Sequence, residues 1–344
     1  MILALSARDD ATTSALVTAL RERGANVLAW DPATLPATSA LTVRVGRQGL
    51  AVDLDTDREQ VDLTGVRAVW YRAPGQPDPL PTADPAHQRY AALQCHSLVA
   101  GLWELLDVPW VPGRYPAMSR AHNKAVNLAL ARAAGFHVPE TLFTNDPREL
   151  VPAHRRAGGD LIAKPVEPTG VLVDGQEHRT YTTPVGRRML TSRHRLRAAP
   201  VVLQPRVPKA LELRVVVVDD AVFSFSIDSQ ASRVGVDDWR HYDHDRVSYR
   251  EHRLPDDVRR RCARFVSSLG LTYAALDLVL TPHGQHVFLE VNPTGEYGWL
   301  EEVTGAPITS AIADHLVAAT TTAGVRHDHL RPAASTHAPV GARR

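Results

Sequence analysis

Most features that betray a function quickly are missing from this sequence. There are two cysteines in 344 residues, Cys95 and Cys262; they match no metal-ligand or redox spacing and read as small core residues of a protein kept reduced. No uncharged apolar stretch reaches the ~18 residues of a membrane-spanning helix, and the apolar run before Arg8 is too short for a signal peptide. Lys and Arg number 39 against 38 Asp and Glu, a net charge of +1, which excludes the strong basic excess of a nucleic-acid scaffold or a membrane-surface protein. A cytoplasmic protein with neither partner is expected. The first βα loop, residues 9–13, holds neither GxGxxG nor GxxxxGK[ST], so neither the dinucleotide fingerprint nor the P-loop is present there. The run His241-Tyr242-Asp243-His244-Asp245 lacks the spacing of a structural zinc site and lies in a polar loop.

With 44% hydrophobic residues, a chain of this length buries a large core and divides into two or three domains. Residues 2–5 form a buried-strand run, 14–23 a helix stopped by Gly24, and 26–30 a second strand, which together make a βαβ opening. A hairpin follows over 41–45 and 50–54, then a strand at 68–71 ending at Arg72, and a long helix over 86–106. Residues 109–116 read as a linker. Beyond it the pattern predicts a helix over 120–134 with Lys124 in its first turns, strands over 160–164, 201–203, 211–218 and 222–227, and helices over 256–268 and 308–320. The Pro-, Ala-, Ser- and His-rich tail, 322–344, reads as disordered.

Towards the C-terminal end, apolar runs 276–280 and 286–291 flank Thr281-Pro282-His283-Gly284-Gln285, whose Pro and Gly suit a hairpin loop. Asp277 lies on one strand, and Glu290 and Asn292, two apart, share a face of the other. Three oxygen ligands gathered in this way suit Mg²⁺, which takes one or two carboxylates from protein and completes its octahedron with water and phosphate oxygens. The residues alone equally allow a surface hairpin whose acids are solvated. Lys124 alone reads as a solvated lysine, and Lys164, at a strand end, as an edge charge that discourages aggregation.

The order Asp277, hairpin, Phe288-Leu289-Glu290-Val291-Asn292-Pro293, then Gly295 and Trp299-Leu300-Glu301 resembles the metal-binding hairpin of ATP-grasp ligases. It is most similar to the microviridin or graspetide maturases, which modify ribosomally made peptides. The resemblance, carried by separated matches in one order, spans about residues 65–310. It implies an α/β and α+β multidomain protein with the ATP-grasp fold and an N-terminal Rossmann-like pre-ATP-grasp domain. The implied division is 1–115 for that domain, 116–200 for a central small domain with a phosphate lid, and 201–321 for a C-terminal domain with the metal site.

Residue by residue, the resemblance makes Asp277, Glu290 and Asn292 the metal ligands. Asn123-Lys124, with Ala134-Gly135 and Val138-Pro139-Glu140-Thr141, matches the segment of the first ATP lysine. Lys164 in Ala163-Lys164-Pro165 matches the second, and 165–171 would be the lid. Gln204-Pro205-Arg206-Val207 stands where the family has Gln-Glu-Tyr followed by Ile or Val, the hinge that meets adenine. Pro205 has a carbonyl but no amide hydrogen, so Val207 would donate in its place. Glu212 fits a ribose-hydroxyl acceptor. Arg214, two residues on and on the same strand face, fits a clamp on phosphate and acyl phosphate, with Lys164 sharing the catalytic role. Arg72, in Val69-Trp70-Tyr71-Arg72, matches a substrate contact, although Ala73 replaces the family's second Arg; Asp228, Gln230, Trp239 and Arg240 also have counterparts. Between Glu177 and Glu212 there is no acid but eight Arg or Lys, Arg193 and Arg195 among them. In the maturases this region is a hairpin and helix that bind the precursor's leader; here they are expected over 171–185 and 188–198.

The resemblance thus implies ATP and Mg²⁺, two ions, as cofactors, and a ribosomal precursor peptide with an acidic leader as partner. A carboxylate cannot lose hydroxide readily, so it is first phosphorylated to an acyl phosphate, and a Ser or Thr hydroxyl or a Lys amine then displaces phosphate. The sequence identifies no general base for that attack, and it leaves a homodimer open. One rival is a ligase joining free amino acids or small peptides, as glutathione synthetase and glutamate-ligase relatives do; the Trp-Tyr-Arg and 228–240 similarities speak against it. The other is a nucleotide-binding regulator without turnover, and a candidate at every catalytic position speaks against that.

Overall fold

Asp10 starts the first helix earlier than the apolar pattern predicts. Its side chain accepts from the Thr13 amide at 2.6 Å, so the helix runs Ala11–Glu22 and takes in residues expected as loop. The computed structural model describes the chain apart from residues 48, 83, 168–169, 174–175, 230–247 and 323–344. Arg240, the Gln230 and Trp239 counterparts, the HYDHD run and nearly all of the expected tail lie outside the described residues. Two compact units emerge, Met1–Val111 with the chain from Ala313, and Pro112–Ile312.

In the first unit a four-stranded sheet runs in the order Val27–Trp30, Ile2–Ser6, Ala68–Arg72, Trp110–Val111, all parallel. Ile2–Ser6 is buried along its whole length, as a parallel strand covered on both faces must be. Trp70 is fully buried and donates its indole N–H to Thr13 Oγ1 at 3.1 Å, tying the third strand to the first helix. The predicted hairpin is present as Ala40–Gly46 and Gly49–Asp55, extended by Gln60–Asp62. The long helix is Pro85–Leu105.

The second unit holds two larger sheets. The smaller is four-stranded, Thr183–Pro184, Leu161–Pro165, Val201–Pro205, Leu142–Thr144. Helix Pro147–Arg156 covers it through Leu150 and Ala153, which pack with Leu161, Ala163, Val185 and Leu203. The other is five-stranded and antiparallel, in the order Tyr249–Glu251, Ala221–Ile227, Leu211–Val218, Tyr273–Leu280, His286–Asn292. Leu211–Val218 sits in its middle and is buried from its second residue onward. Helix Asp256–Ser268 begins with two acids, which suit the positive helix end, and buries Val258, Cys262, Phe265 and Val266. Burial pushes the Cys262 thiol up to about 12, consistent with an inert core residue. The expected helix over 120–134 is two helices, Tyr115–His122 and Lys124–Ala133. Asn123 breaks them with an extended backbone and caps the second by accepting from Val126 N at 3.1 Å. The expected 188–198 helix likewise divides into Arg187–Thr191 and a 3₁₀ turn, Arg193–Ala198. Among the described residues no helix is long and apolar enough to cross a membrane.

Candidate active site

Period-two geometry on the five-stranded sheet assembles the site. Arg214 pairs in register with Asp277 on the neighbouring strand, and Asp277 with Glu290 on the next. Three consecutive strands thus present cation, carboxylate and carboxylate side by side. Between Asp277 and Leu278 the register slips, so Leu289 is left over as a bulge. Leu289 and Glu290, consecutive in sequence, therefore line one cavity, which strict alternation forbids.

That cavity is walled by Lys124, Lys164, Gln204, Glu212, Asp277 and Glu290, with Pro205 and Val207 at its hinge side. Gln204 is 4% exposed and donates to Thr141 Oγ1 at 2.7 Å. Arg206 N is spent on Asp160 O at 2.9 Å, whereas the Val207 N–H has no protein partner among the described residues. Glu212 is buried and accepts through Oε1 from Lys209 Nζ at 2.9 Å and Ser229 Oγ at 2.7 Å. Its Oε2 stays open. Lys124, first residue of its helix, reaches Pro165 O at 3.2 Å.

A second cavity shares Lys124, Asp277 and Glu290 with the first and adds Arg214, Asn292 and Glu296. Arg214 is 5% exposed; Nη1 donates to Asp277 Oδ1 at 2.9 Å and Nη2 to Glu296 O at 3.0 Å, while Nε is buried with no partner among the described residues. Burial works against its charge, yet the charge and hydrogen bond of Asp277, with Tyr273 and Glu290 adding, hold its pKa above the ordinary value. Asn292 Nδ2 lies 3.5 Å from Asp277 Oδ2 and 3.3 Å from Glu290 Oε1, so the three side chains converge. A half-turn of that amide exchanges its nitrogen for its oxygen. Two carboxylates and an amide oxygen then face one point, a donor set that fits Mg²⁺. Among the described residues no three His, Cys, Asp or Glu side chains make a metal cluster, and this set contains only two of those types.

The other sequence-predicted residues lie elsewhere. Arg72 is buried at the end of its strand in the first unit. Asp228 is half-buried just past Ala221–Ile227, its amide bonded to Ser248 O at 3.2 Å, and lines neither cavity. Arg193 and Arg195 are exposed on the 3₁₀ turn. Sequence reasoning missed His122, Asn127, Glu167 and Glu296, all on the second cavity. Asn127 is 1% exposed, and its Oδ1 has no partner among the described residues. The Glu296 carboxylate accepts from Tyr297 N and Gly298 N just ahead of the helix Gly298–Thr304.

A cleft lined by Lys164 from one antiparallel sheet, Glu212, Asp277 and Glu290 from another, and Lys124 from a helix start is the arrangement of an ATP-grasp protein. The MvdD pre-ATP-grasp domain model matches residues 1–113. Macrocyclase MdnB from Microcystis aeruginosa MRC is 30% identical over 92% of this chain and 98% of its own, with a TM-score of 0.77. Macrocyclase MdnC from the same organism, solved with precursor peptide MdnA, is 25% identical over 92% and 99%, with a TM-score of 0.83. A RiPP-associated ATP-grasp ligase from Chryseobacterium gregarium, solved with ADP and a leader and core peptide, superposes with a TM-score of 0.85 over 92% and 96%; at 24% identity it speaks for the fold alone. Comparison with curated protein sequences returns no match. The chain belongs to the ATP-grasp ligase family of the ribosomal-peptide macrocyclases.

Proposed function

We propose that this protein is an ATP- and Mg²⁺-dependent ligase that activates Asp or Glu side chains of a ribosomal precursor peptide and closes them onto Ser or Thr hydroxyls or Lys amines as macrocyclic esters or amides. The observation that carries this reading is the pair of cavities joined through Lys124, Asp277 and Glu290, one shaped for a nucleotide and the other open beside it for an acyl acceptor. Relatives solved with peptide bound support the choice of a peptide over a free amino acid.

In this reading Gln204, Pro205, Val207 and Glu212 hold adenosine, Lys124 and Lys164 hold phosphates, and Asp277, Glu290 and Asn292 hold the metal. Bound Mg²⁺-ATP supplies the phosphoryl group and neutralises charge as it moves. Arg214, fixed by Asp277 and the Glu296 carbonyl, would offer its remaining donors to the acyl phosphate, with a charge that does not titrate away. Residues 1–115 would serve as the pre-ATP-grasp domain, 116–200 as the central domain and 201–321 as the C-terminal domain, with Arg72 and Asp228 toward the peptide, and the protein acting in the cytoplasm.

The test is incubation with ATP, Mg²⁺ and a short Thr/Ser- and Asp/Glu-rich precursor peptide sought among the neighbouring genes. Loss of one water, 18 Da, per ring with stoichiometric ADP is expected from the condensation itself. ADP release with free amino acids, and no dehydrated peptide, would favour the small-molecule ligase.

A further inference from the structure

We propose that His122 is the general base of ring closure; this rests on the ligase reading above. His122 is the last residue of helix Tyr115–His122, just ahead of the Asn123 break, and lines the second cavity with Arg214, Asp277 and Asn292. Its Nδ1 lies 3.0 Å from Met118 O. A carbonyl can only accept, so Nδ1 carries the proton, and the neutral ring keeps its lone pair on Nε2. Nε2 faces the Thr294 hydroxyl at 3.5 Å, too far for a firm bond, so the lone pair stays available to an incoming donor.

The other cavity groups are less suited to the task. The Glu296 carboxylate is stabilised as an anion by two amides, at 3.0 and 2.9 Å. Lys124 is a cation. Asp277 is paired with Arg214, and Glu290 and Asn292 face the same point as Asp277. Glu167 is exposed at the start of the lid and would bring a second negative charge toward phosphate. His122 is exposed too, as a base that must meet a large peptide has to be, and it is uncharged when it accepts.

The step balances within the ternary complex. The hydroxyl oxygen of a Ser or Thr attacks the acyl phosphate carbon while its proton passes to His122 Nε2. The C–O ester bond forms, the C–O bond to phosphate breaks, and inorganic phosphate leaves with the electron pair. The imidazolium then returns its proton to solvent.

The experiment separates the two halves of the reaction in full-length His122→Ala and His122→Gln, with the synthetic precursor peptide, ATP and Mg²⁺. Hydroxylamine traps the acyl phosphate as hydroxamate without needing a protein base; mass spectrometry reads the rings. Hydroxamate formation within about threefold of wild type is expected, with ring closure down about a hundredfold or more, the usual worth of a positioned base. Added imidazole should restore closure in His122→Ala. Equal loss in both readouts in both variants, no rescue, or loss of closure in Glu167→Gln but not in His122→Gln would overturn the assignment. Absence of hydroxamate from the wild type would instead overturn the ligase reading itself.

Discussion

Arg214 and Asp277 face each other across adjacent strands as a buried ion pair, 2.9 Å from Nη1 to Oδ1, with side chains 6% and 15% exposed. A buried charge stripped of its partner is costly, so this pair cannot be altered on one side without consequence for the other. Arg214→Lys keeps the charge but cannot reach Asp277 and the Glu296 carbonyl together. We expect a loss of about 10²–10³ in kcat, the scale of a missing preorganised oxyanion donor. Steady-state ADP release with precursor peptide measures it, and a drop below about fivefold would remove Arg214 from the transition state.

Glu290→Gln and Asn292→Ala each withdraw an oxygen or its charge from the point where these side chains meet Asp277. Both variants should keep their circular dichroism and melting behaviour but lose ring formation, and Glu290→Gln should need far more Mg²⁺ for any residual activity. Near-normal turnover at ordinary Mg²⁺ in either variant would mean that the metal sits elsewhere.

Much of this site was readable before any coordinates. The Pro-Gly loop flanked by apolar runs announces the hairpin, and the two-residue spacing of Glu290 and Asn292 places them on one face. Strand Leu211–Val218 and helix Asp256–Ser268 fall where the pattern puts them. What local patterns could not give is neighbourhood. Arg214 and Asp277 are 63 residues apart and meet because Leu211–Val218 lies beside Tyr273–Leu280, a choice made by sheet packing. The Leu289 bulge leaves no mark in an apolar run. The Asn123 break hides inside one continuous helical period, and His122, which lines the cavity, is the residue just before it.

Gly295 stands where a side chain does not fit. An added Cβ would lie 2.5 Å from Ala275 Cβ, 2.7 Å from Arg214 Nη2 and 3.2 Å from Asn292 Cβ. Gly295→Ala should cost about 1–3 kcal/mol as an overpacked core position and should lower activity further by displacing Arg214. Adding Ala275→Gly relieves the first clash but not the second, so denaturation should recover more than turnover. Full recovery of both would show that Gly295 acts through packing alone.

Two histidines are expected to make the second unit sensitive to acid. Burial lowers the pKa of His252, and burial together with the charges of His252 and Arg261 lowers that of His286, against an opposing pull from Asp257. Both therefore take up a proton less readily in the fold than in the unfolded chain. Below the ordinary value of 6.5 the unfolded chain binds more protons than the folded one, so stability should fall as pH drops from there to the folded values, and be unaffected above. Urea midpoints at pH 7.5, 6.5 and 5.5 for wild type and the His252→Asn, His286→Asn double variant test this. The double variant should show the shallower decline, and parallel declines would assign the acid sensitivity to carboxylates.

The basic stretch offers a test of how the peptide is held. Met189, Leu190 and Leu196 pack onto the smaller sheet, which turns Arg187, Arg188, Arg193, Arg195 and Arg197 outward, all of them exposed. Exposed arginines contribute little to folding, so they are available to an acidic leader. Attraction of this kind is screened within about 8 Å at physiological ionic strength, and association should therefore weaken steeply between low and high salt. Arg193→Glu with Arg195→Glu should weaken binding of a labelled leader peptide, flatten its salt dependence, and leave ATP affinity unchanged, because neither residue lines the nucleotide cavity. Fluorescence anisotropy at two salt concentrations, alongside an ATP titration, provides all three readings. Equal leader affinities in wild type and variant at both salts would place the leader on another face of the protein.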